Sequence, residues 1–491
     1  MTSPRARRHR RRVRIPVALA VLAIGSGALG VRLGSDGGAA TARGSVAAPA
    51  TPVLSPRRIA AWLSEPIADA KLRAELDVIV AASPPATCLT VSVGGREVYA
   101  RNPDMALIPA SNQKLVTATA AIEVLGADTR YRTKVVAPGA GAGAGAGAAP
   151  VGTIQGDLFL VGGGDPLLET KAYVAHFLRQ PQIATPMESL ADAIAKAGIR
   201  RITGRIVGDG SRYDSRRYPA TWAQRFVDER QIGPLSALGV NDAFTAFPAK
   251  QSALESQDIP ALVPAADPAQ HAASVLTELL ANRGIQVDGP PAAGTAPAGG
   301  RQIAYVDSPP MREVVKEMLD ESDDQTAELL VKEMGYRASG QGSTEAGVRV
   351  VTRTMERLGL ADKGTKAADG SGLGDANRTS CRLVSRILDR AGPRGIIGGS
   401  LAVAGKSGTL TDRFQSSKAK GRLRAKTGTL NEVTALSGFV DAVQGAVLTF
   451  SYIANGRTVS DEFVKLQEAL GDDLVVYPEG PPLRLLEPKA K

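Results

Sequence analysis

The stretch Ser111-Asn-Gln-Lys-Leu-Val-Thr-Ala-Thr-Ala-Ala-Ile122 begins with a serine and a lysine three residues apart and continues as an apolar run. Residues three apart share one face of an α-helix. The pattern therefore predicts a buried helix from Ser111 to about Leu125, ended by Gly126, with both polar side chains on one face. The plainer interpretation is a helix-capping serine followed by a surface lysine.

A serine hydroxyl is a weak nucleophile until a neighbouring group takes its proton. The three histidines of the chain, His9, His176 and His271, lie far from Ser111 in the sequence, so a histidine base is poorly supplied. Lys114 is the predicted base, and it must act in its neutral form, which burial and nearby positive charge favour. A serine at a helix N-terminus would also bring the helix dipole close to an oxyanion.

A second motif, Lys426-Thr-Gly-Thr429, lies among apolar residues and is predicted to form part of a core strand. A glycine in a strand lets a substrate backbone approach closely, and a lysine can bind a carboxylate as a point charge. The alternative for Lys426 is an ordinary charge at a strand end. Two look-alikes are interpreted as decoys: Lys406-Ser-Gly408, and Ser417 with Lys420 in a polar stretch that predicts a solvated loop.

The element between the two motifs, Ser322-Asp323-Asp324, comes just before a helical run and on its own is a helix-capping sequence. It is the part of the chain nearest to a Ser-x-Asn element. In chain order, Ser-x-x-Lys, Ser-Asp-Asp and Lys-Thr-Gly are nearly the three-part signature of serine acyl-transfer enzymes that work without a histidine base.

With these three parts in order, the chain resembles the class C low-molecular-mass penicillin-binding proteins, the D-alanyl-D-alanine carboxypeptidase/endopeptidase family. The resemblance extends over roughly residues 55 to 480. It implies an α/β (α+β) fold: a penicillin-recognising, serine transpeptidase-like domain with an antiparallel sheet covered by helices, and an inserted accessory domain. Further segments that carry the resemblance are Gly156 to Pro166, Gly204 to Asp209, Trp222, Asp267 to Gly289, Ser308 to Pro310, Asp369 to Leu373 and Gly421 to Leu430.

The resemblance also implies the reaction and the site. An acyl-enzyme would form on the penultimate D-alanine of a peptidoglycan peptide ending in D-Ala-D-Ala and then be hydrolysed, whereas β-lactam antibiotics would acylate the serine and remain. No cofactor or metal is implied. The nucleophile would be Ser111, the base Lys114 and the proton relay Ser322; substrate would be bound by Asp324, Lys426, Thr427, Gly428 and Thr429, with the oxyanion held by the backbone amides of Ser111 and Thr429.

One position departs from the family pattern, because Asp324 stands where the family has asparagine. An amide can both donate and accept hydrogen bonds, whereas a carboxylate only accepts. An ionised Asp324 beside Lys114 would also stabilise the protonated lysine, which cannot act as a base. We therefore expect lower turnover than in a chain with asparagine here, unless Asp324 faces away or is protonated.

The composition says more about the cellular location of the protein than about its chemistry. The net charge is +10, but seven arginines fall within the first fourteen residues, so the remainder carries 10 − 7 = +3 and a nucleic-acid partner is not expected. These arginines precede an apolar run, Ile15 to Val31, and an Ala40-Thr-Ala42 site. The pattern predicts export to the extracytoplasmic, cell-wall side, through either a cleaved signal peptide or an uncleaved membrane anchor.

At 491 residues the chain exceeds one ordinary core, so more than one domain is expected. The two cysteines, Cys88 and Cys381, could pair after export, but two separate buried thiols are the favoured expectation. The predicted segments are an export segment (1–34), a tether (35–55), the first catalytic part (56–138), a Gly/Ala loop (139–150), an inserted accessory region (151–300), the second catalytic part (301–480) and a tail (481–491).

Two other functions remain open beside a DD-peptidase. A β-lactamase or esterase could use the same scaffold, and rapid turnover of β-lactams would distinguish it. A catalytically weak peptidoglycan-binding protein is the alternative that Asp324 motivates. The sequence does not decide between carboxypeptidase and endopeptidase activity, nor does it fix the oligomeric state.

Overall fold

The computed structural model describes residues 56–139, 151–252, 257–456 and 458–478. The predicted export segment, the tether, nearly all of the Gly/Ala loop and the C-terminal tail lie outside the described residues. Within the described ranges, no helix is both long enough and apolar enough to cross a membrane.

The described residues alternate between helices and strands along most of their length. The helices are α1 Pro56–Ala82, α2 Gln113–Leu125, α3 Lys171–His176, α4 Met187–Lys196, α5 Gln224–Asp228, α6 Pro268–Ala281, α7 Met311–Asp320, α8 Asp324–Ser339, α9 Thr344–Arg357, α10 Cys381–Ala391, α11 Ile396–Gly399 and α12 Asp461–Val475. The strands are β1 Ala86–Val93, β2 Arg96–Arg101, β3 Arg132–Ala137, β4 Thr153–Ile154, β5 Leu158–Val161, β6 Leu168–Glu169, β7 Thr185–Pro186, β8 Arg201–Ile202, β9 Ile206–Asp209, β10 Phe244–Ala246, β11 Val263–Pro264, β12 Gln286–Val287, β13 Ala292–Ala293, β14 Arg301–Asp307, β15 Ala402–Val403, β16 Leu423–Leu430, β17 Val433–Asp441 and β18 Val447–Asn455.

The central sheet has six strands in the order β15-β16-β17-β18-β1-β2, and every neighbouring pair is antiparallel. Successive side chains of a strand point to opposite faces of the sheet, and helices cover both faces. On β1, Leu89 and Val91 join a core with α1 and α12, while Cys88 joins a second core with α2, α7, α8 and α10. This antiparallel sheet between helical layers confirms the predicted fold class.

The helix predicted around the first motif is also confirmed, with one local difference. Ser111 lies in a short 3₁₀ turn, Ala110–Asn112, and α2 starts two residues after the serine. The helix ends at Gly126, whose φ of 89° is unfavourable for residues other than glycine. The helical run predicted after Ser322-Asp323-Asp324 is α8, and it is separated from α7 by Ser322, which has a φ of 67°.

A second sheet follows the first motif. Its five strands run in the order β13-β9-β5-β3-β14, and β3 pairs antiparallel with β14 although about 165 residues separate them. The helices α4 and α6 pack on this sheet and share its own buried core, which includes Leu158, Leu190 and Leu276. The chain therefore leaves the first motif, builds a second core and returns beside its point of departure.

The expectation of two separate thiols is wrong. Cys88 and Cys381 form a disulfide with an S–S distance of 2.07 Å and a Cα–Cα distance of 5.9 Å. Cys88 lies on the face of β1 that α10 covers, and Cys381 is the first residue of α10, so packing of the helix on the strand brings the two sulfur atoms together. The bond joins positions 293 residues apart.

Candidate active site

The first motif forms a close serine–lysine pair. Lys114 is fully buried, and its Nζ donates to the Oγ of Ser111 at 3.0 Å. Ser111 itself is partly exposed and lines a cleft. The preceding residue, Ala110, has a φ of 47°, a sparsely populated conformation for a non-glycine residue and one that often accompanies functional turns.

Two further oxygen atoms surround the lysine. Its Nζ lies 2.5 Å from Oδ1 of Asp324 and 3.1 Å from the carbonyl oxygen of Ser371. A carboxylate and a carbonyl only accept, so a neutral amine can give both of them its two N–H groups. In that neutral form the lone pair of Lys114 would face the hydroxyl of Ser111, as general-base catalysis requires, whereas the ammonium form donates to Ser111 as well.

The loop that supplies the Ser371 carbonyl is fixed by two buried carboxyl groups. Asp369 accepts hydrogen bonds from the backbone amides of Gly372 and Gly374 and from the indole N–H of Trp222 at 2.8–2.9 Å. Glu328 accepts from the backbone amide of Ser371 at 2.8 Å, and burial, followed by the charge of Asp369, raises its pKa to about 8.

Gly372 in the same loop requires the absence of a side chain, since a Cβ there would lie 1.9 Å from the carbonyl oxygen of Ala110. The loop and the turn of Ser111 therefore pack directly against each other. In the sequence, the segment from Asp369 to Leu373 is recognisable only through the family resemblance. The resemblance gave neither Asp369 nor Glu328 a role, although a Gly-rich segment around an acid was a usable signal.

The Ser322-Asp323-Asp324 element is both a helix cap and part of the site. Asp323 caps α8 by accepting from the backbone amides of Gln325 and Thr326 at 2.8 and 3.1 Å. Asp324, the first residue of α8, points to Lys114, and Ser322 lines the same cleft as Ser111. The open question about the orientation of Asp324 is answered: its carboxyl group contacts the lysine.

The third motif lies on β16, as predicted. Lys426 is fully buried, and its Nζ donates to the carbonyl oxygen of Thr427 at 3.1 Å. Burial, with the neighbouring charge of Lys114, lowers the pKa of Lys426 well below its usual value. Gly428 lets β16 approach the serine turn, because a Cβ there would lie 3.0 Å from the carbonyl oxygen of Pro109.

One cleft of about 830 Å³ collects the exposed parts of all three motifs. We call the eight predicted site residues on these three motifs the motif group. Ser111, Ser322, Asp324, Thr427, Gly428 and Thr429 line this cleft, whereas the two lysines Lys114 and Lys426 are fully buried. The structure therefore brings together every predicted site residue.

The family model for the D-Ala-D-Ala carboxypeptidase 3 (S13) family matches residues 73–261 and 251–474. The chain belongs to this family. It is 29% identical over 459 residues to a D-alanyl-D-alanine carboxypeptidase of Actinomadura sp. (strain R39), covering 79% of this chain and 81% of that protein. It is 30% identical over 391 residues to a carboxypeptidase of Mycobacterium tuberculosis, covering 76% and 77%.

Among solved structures, penicillin binding protein 4 of Haemophilus influenzae aligns with a TM-score of 0.65 and 20% identity, covering 83% of this chain and 99% of that one. This likeness bears on the fold alone. Together with the family match, it confirms the resemblance to class C penicillin-binding proteins. The protein is accordingly an enzyme, a serine-type D-Ala-D-Ala carboxypeptidase.

The carboxypeptidase has a second set of acidic residues in its cleft, of which only Asp323 belongs to a motif. We call Glu169, Asp242, Glu317 and Asp323 the carboxyl cluster; all four line the cleft, and they come from β6, a 3₁₀ turn, α7 and the residue before α8. Burial raises the pKa of each of them, that of Asp242 to about 7, and the charges of other cluster members add to this at Glu169, Asp242 and Glu317. Within the described residues, Oε2 of the buried Glu169 has no hydrogen-bond partner.

The two look-alikes behave differently from each other. Lys420 is exposed, and Ser417 donates to Asp472 at 2.5 Å, which confirms a solvated loop. Lys406 is exposed as expected of a decoy, but the threonine that follows this second motif is not remote. Thr409 lines the cleft and accepts a hydrogen bond from the hydroxyl of Thr427 at 3.0 Å.

Proposed function

We propose that the chain is an exported D-alanyl-D-alanine carboxypeptidase/DD-endopeptidase that acts on peptidoglycan stem peptides through an acyl-enzyme at Ser111 and binds penicillins covalently. The observation that carries the proposal is the 3.0 Å contact between Oγ of Ser111 and Nζ of the fully buried Lys114. The Actinomadura relative, which is a D-alanyl-D-alanine carboxypeptidase, supports the substrate class. A structure of the Haemophilus influenzae protein in complex with a β-lactam, aligned with a TM-score of 0.60, supports the inhibitor class.

In the acylation step, Oγ of Ser111 attacks the carbonyl carbon of the penultimate D-alanine while Lys114 takes the hydroxyl proton. A C–O bond forms, the C–N bond to the last residue breaks, and the proton passes by way of Ser322 to the leaving amine. Water then hydrolyses the ester with Lys114 again as base. The backbone amides of Ser111 and Thr429 would stabilise the oxyanion in both steps.

The terminal carboxylate of the substrate would lie against the Lys426–Thr429 strand. Lys426 is buried, so its charged form is disfavoured in the free enzyme. An arriving carboxylate restores that charged form, because an opposite charge nearby favours ionisation. Thr427 and Thr429 face the cleft beside it, and Gly428 keeps the strand close to the nucleophile.

Export to the cell-wall side is part of the proposal. Peptidoglycan lies outside the cytoplasm, and the seven N-terminal arginines followed by the apolar run Ile15 to Val31 match an export segment. The disulfide between Cys88 and Cys381 also supports an oxidising compartment. A membrane contact is proposed only through the N-terminal segment.

We further propose that the predicted accessory region is an insertion into one catalytic domain. The antiparallel pairing of β3 with β14 supports this, as does the separate core around Leu158, Leu190 and Leu276. Because β3 and β14 are strands of the second sheet, the insertion would extend somewhat beyond residues 151–300, from about Arg132 to about Asp307.

A second candidate is a catalytically weak peptidoglycan-binding protein. The 2.5 Å contact between Lys114 and Asp324 favours it, because an ionised carboxylate stabilises the ammonium form of the lysine. A β-lactamase or esterase would behave differently, because it would hydrolyse the penicillin adduct rapidly and the adduct would not persist.

The test is covalent labelling by a fluorescent penicillin, followed by intact-mass measurement of the full protein, its Ser111→Ala variant and a Ser417→Ala control from the look-alike Ser-x-x-Lys pair. We expect a stable adduct in the wild type and in Ser417→Ala, and none in Ser111→Ala. An adduct that survives in Ser111→Ala would remove the assigned nucleophile. No adduct in the wild type, together with retained muropeptide binding, would support the weak binder.

A further inference from the structure

The look-alike motif Lys406-Ser-Gly-Thr-Leu410 has nearly the same pattern as Lys426-Thr-Gly-Thr-Leu430 and lies twenty residues before it in the chain. Its lysine is exposed and takes no part in the site. The segment nevertheless follows β15, which pairs antiparallel with β16, and the chain then folds back, because the backbone amide of Gly405 donates to the carbonyl oxygen of Leu410 at 2.9 Å. Thr409 thereby reaches the cleft next to Thr427.

The backbone around Thr409 is firmly held. Ser407 donates to Oδ1 of Asp320 at 2.9 Å and accepts from the backbone amide of Val403 at 3.1 Å. Gly408 has a φ of 50°, and a Cβ there would lie 2.1 Å from the carbonyl oxygen of Asp320. Leu410 is fully buried. Thr409 is thus placed between two anchored residues at the end of α7.

A count of hydroxyl protons separates the two threonines. Each hydroxyl has one proton to donate, and Thr427 donates its proton to Oγ1 of Thr409. Within the part of the chain that the structure describes, the hydroxyl proton of Thr409 has no acceptor. A carboxylate can only accept, so of these two hydroxyls Thr409 is the one with a proton available for it. Accepting from Thr427 also makes the Thr409 hydroxyl a stronger donor, because hydrogen bonds in a chain polarise one another.

We propose that Thr409 is a carboxylate-recognising residue of the active site, which donates its hydroxyl proton to the terminal carboxylate of the ligand while Thr427 donates to Thr409. This assignment rests on the proposed function. In this assignment the hydroxyl that donates to the carboxylate is that of Thr409, whereas the resemblance to the family implies that Thr427 binds the carboxylate directly. Thr409 contributes to the choice of ligands with a free carboxylate and takes no part in the proton transfers at Ser111.

The test compares acylation of Ser111 by penicillin G and by its methyl ester, which lacks the free carboxylate, in wild type, Thr409→Val and Thr409→Ser. We expect Thr409→Val to lower the rate constant for penicillin G about 10- to 100-fold and to leave that for the ester nearly unchanged. Thr409→Ser keeps the hydroxyl and should retain most of the discrimination. The control is Thr411→Val, whose hydroxyl donates to the carbonyl oxygen of Gly408 and does not line the cleft.

The outcomes separate this inference from the proposed function. If the wild type prefers penicillin G and Thr409→Val prefers it equally, or if the variant slows both compounds alike, Thr409 has no role in carboxylate recognition, whereas the acyl-enzyme proposal stands. If neither compound acylates the wild type, the proposed function itself fails. Should Thr409→Val not fold, the pair Thr409→Ser and Thr409→Ala provides the same comparison.

Discussion

The motif group and the carboxyl cluster contribute side chains to the same cleft, and they differ in how their charges are balanced. In the motif group, the buried Lys114 lies against Asp324, and burial lowers the pKa of Lys426 well below its usual value. In the carboxyl cluster, the charges that act on Glu169 and Glu317 come from other carboxyl groups, whereas Lys114 acts on Asp323. Burial and like charges therefore favour the protonated form of Glu169 and Glu317 more than in an isolated carboxyl group.

This difference has a consequence for what each region can tolerate. The motif group depends on one charge state of one lysine, so a change at Lys114 or Asp324 alters the reaction. Burial raises the pKa values of the carboxyl cluster, so we expect its contribution to the stability of the fold to depend on pH. The two regions meet at Asp323 and Asp324, neighbours in sequence that belong one to each.

The most severe test of the motif group is Lys114→Met, which keeps the length of the side chain and removes the base. We expect acylation of Ser111 by penicillin to slow by about 10²- to 10⁴-fold, the usual contribution of a positioned general base. The rate is read from the growth of the acyl-enzyme mass with time.

This variant also leaves Asp324 without its partner, which could unfold the region. The double variant Lys114→Met/Asp324→Asn removes both charges and is the matched control. If the double variant acylates at the wild-type rate, Lys114 is not the base. Slow acylation in both variants, at unchanged melting temperature, supports the assigned role.

A smaller effect of the opposite sign is expected for Asp324→Asn. The asparagine oxygen can still accept from Lys114, but the negative charge that stabilises the ammonium form is gone. Acylation of Ser111 should become faster, by about tenfold if the lost interaction amounts to about 1.4 kcal/mol. The measurement is again the rate of penicillin acylation, at several pH values.

Equal or slower acylation by Asp324→Asn would contradict the view that the ion pair restrains the base. It would mean that the carboxylate helps the reaction, for example by orienting Lys114 towards Ser111. Asp324→Ala serves as the control for orientation, since it removes both the charge and the hydrogen bond. If Asp324→Ala is slow and Asp324→Asn is fast, charge and orientation are separated.

The sequence predicted the motif group well because each motif is local. A helix period fixes the relation of Ser111 to Lys114, and strand alternation places Lys426 and Thr427. The sequence did not predict contacts between residues that lie far apart along the chain. The disulfide joins residues 293 positions apart, and no local pattern around Cys88 indicates Cys381 as its partner.

Thr409 received no role because the apolar flanks of the downstream Lys426-Thr-Gly428 copy made it the favoured one, and the upstream copy was interpreted as a decoy. The carboxyl cluster was missed because its four members come from different elements and have no common spacing. In both cases the position of the side chain is set by how elements pack, and periodicity carries no information about that.

The smallest predicted effect concerns the carboxyl cluster and is a change in stability. Burial and the charge of Asp323 raise the pKa of Asp242 to about 7, well above the 3.8 of an ordinary aspartate. The folded protein therefore binds more protons than the unfolded chain between these values, and its free energy of unfolding decreases as the pH rises from about 4 through about 7. Asp242→Asn cannot ionise, so it should lack part of this decrease.

We expect Asp242→Asn to be more stable than the wild type at pH 8, by about 1–3 kcal/mol, and by a clearly smaller margin at pH 5, in urea unfolding at both values. The asparagine oxygen can still accept from the hydroxyl of Tyr173, which donates to Asp242 at 2.8 Å, so packing is preserved. The exposed Asp412→Asn is the control for removal of a surface charge. A gain for Asp242→Asn of the same size at pH 5 and pH 8 would show that packing, and not ionisation within the cluster, sets the difference between the two regions.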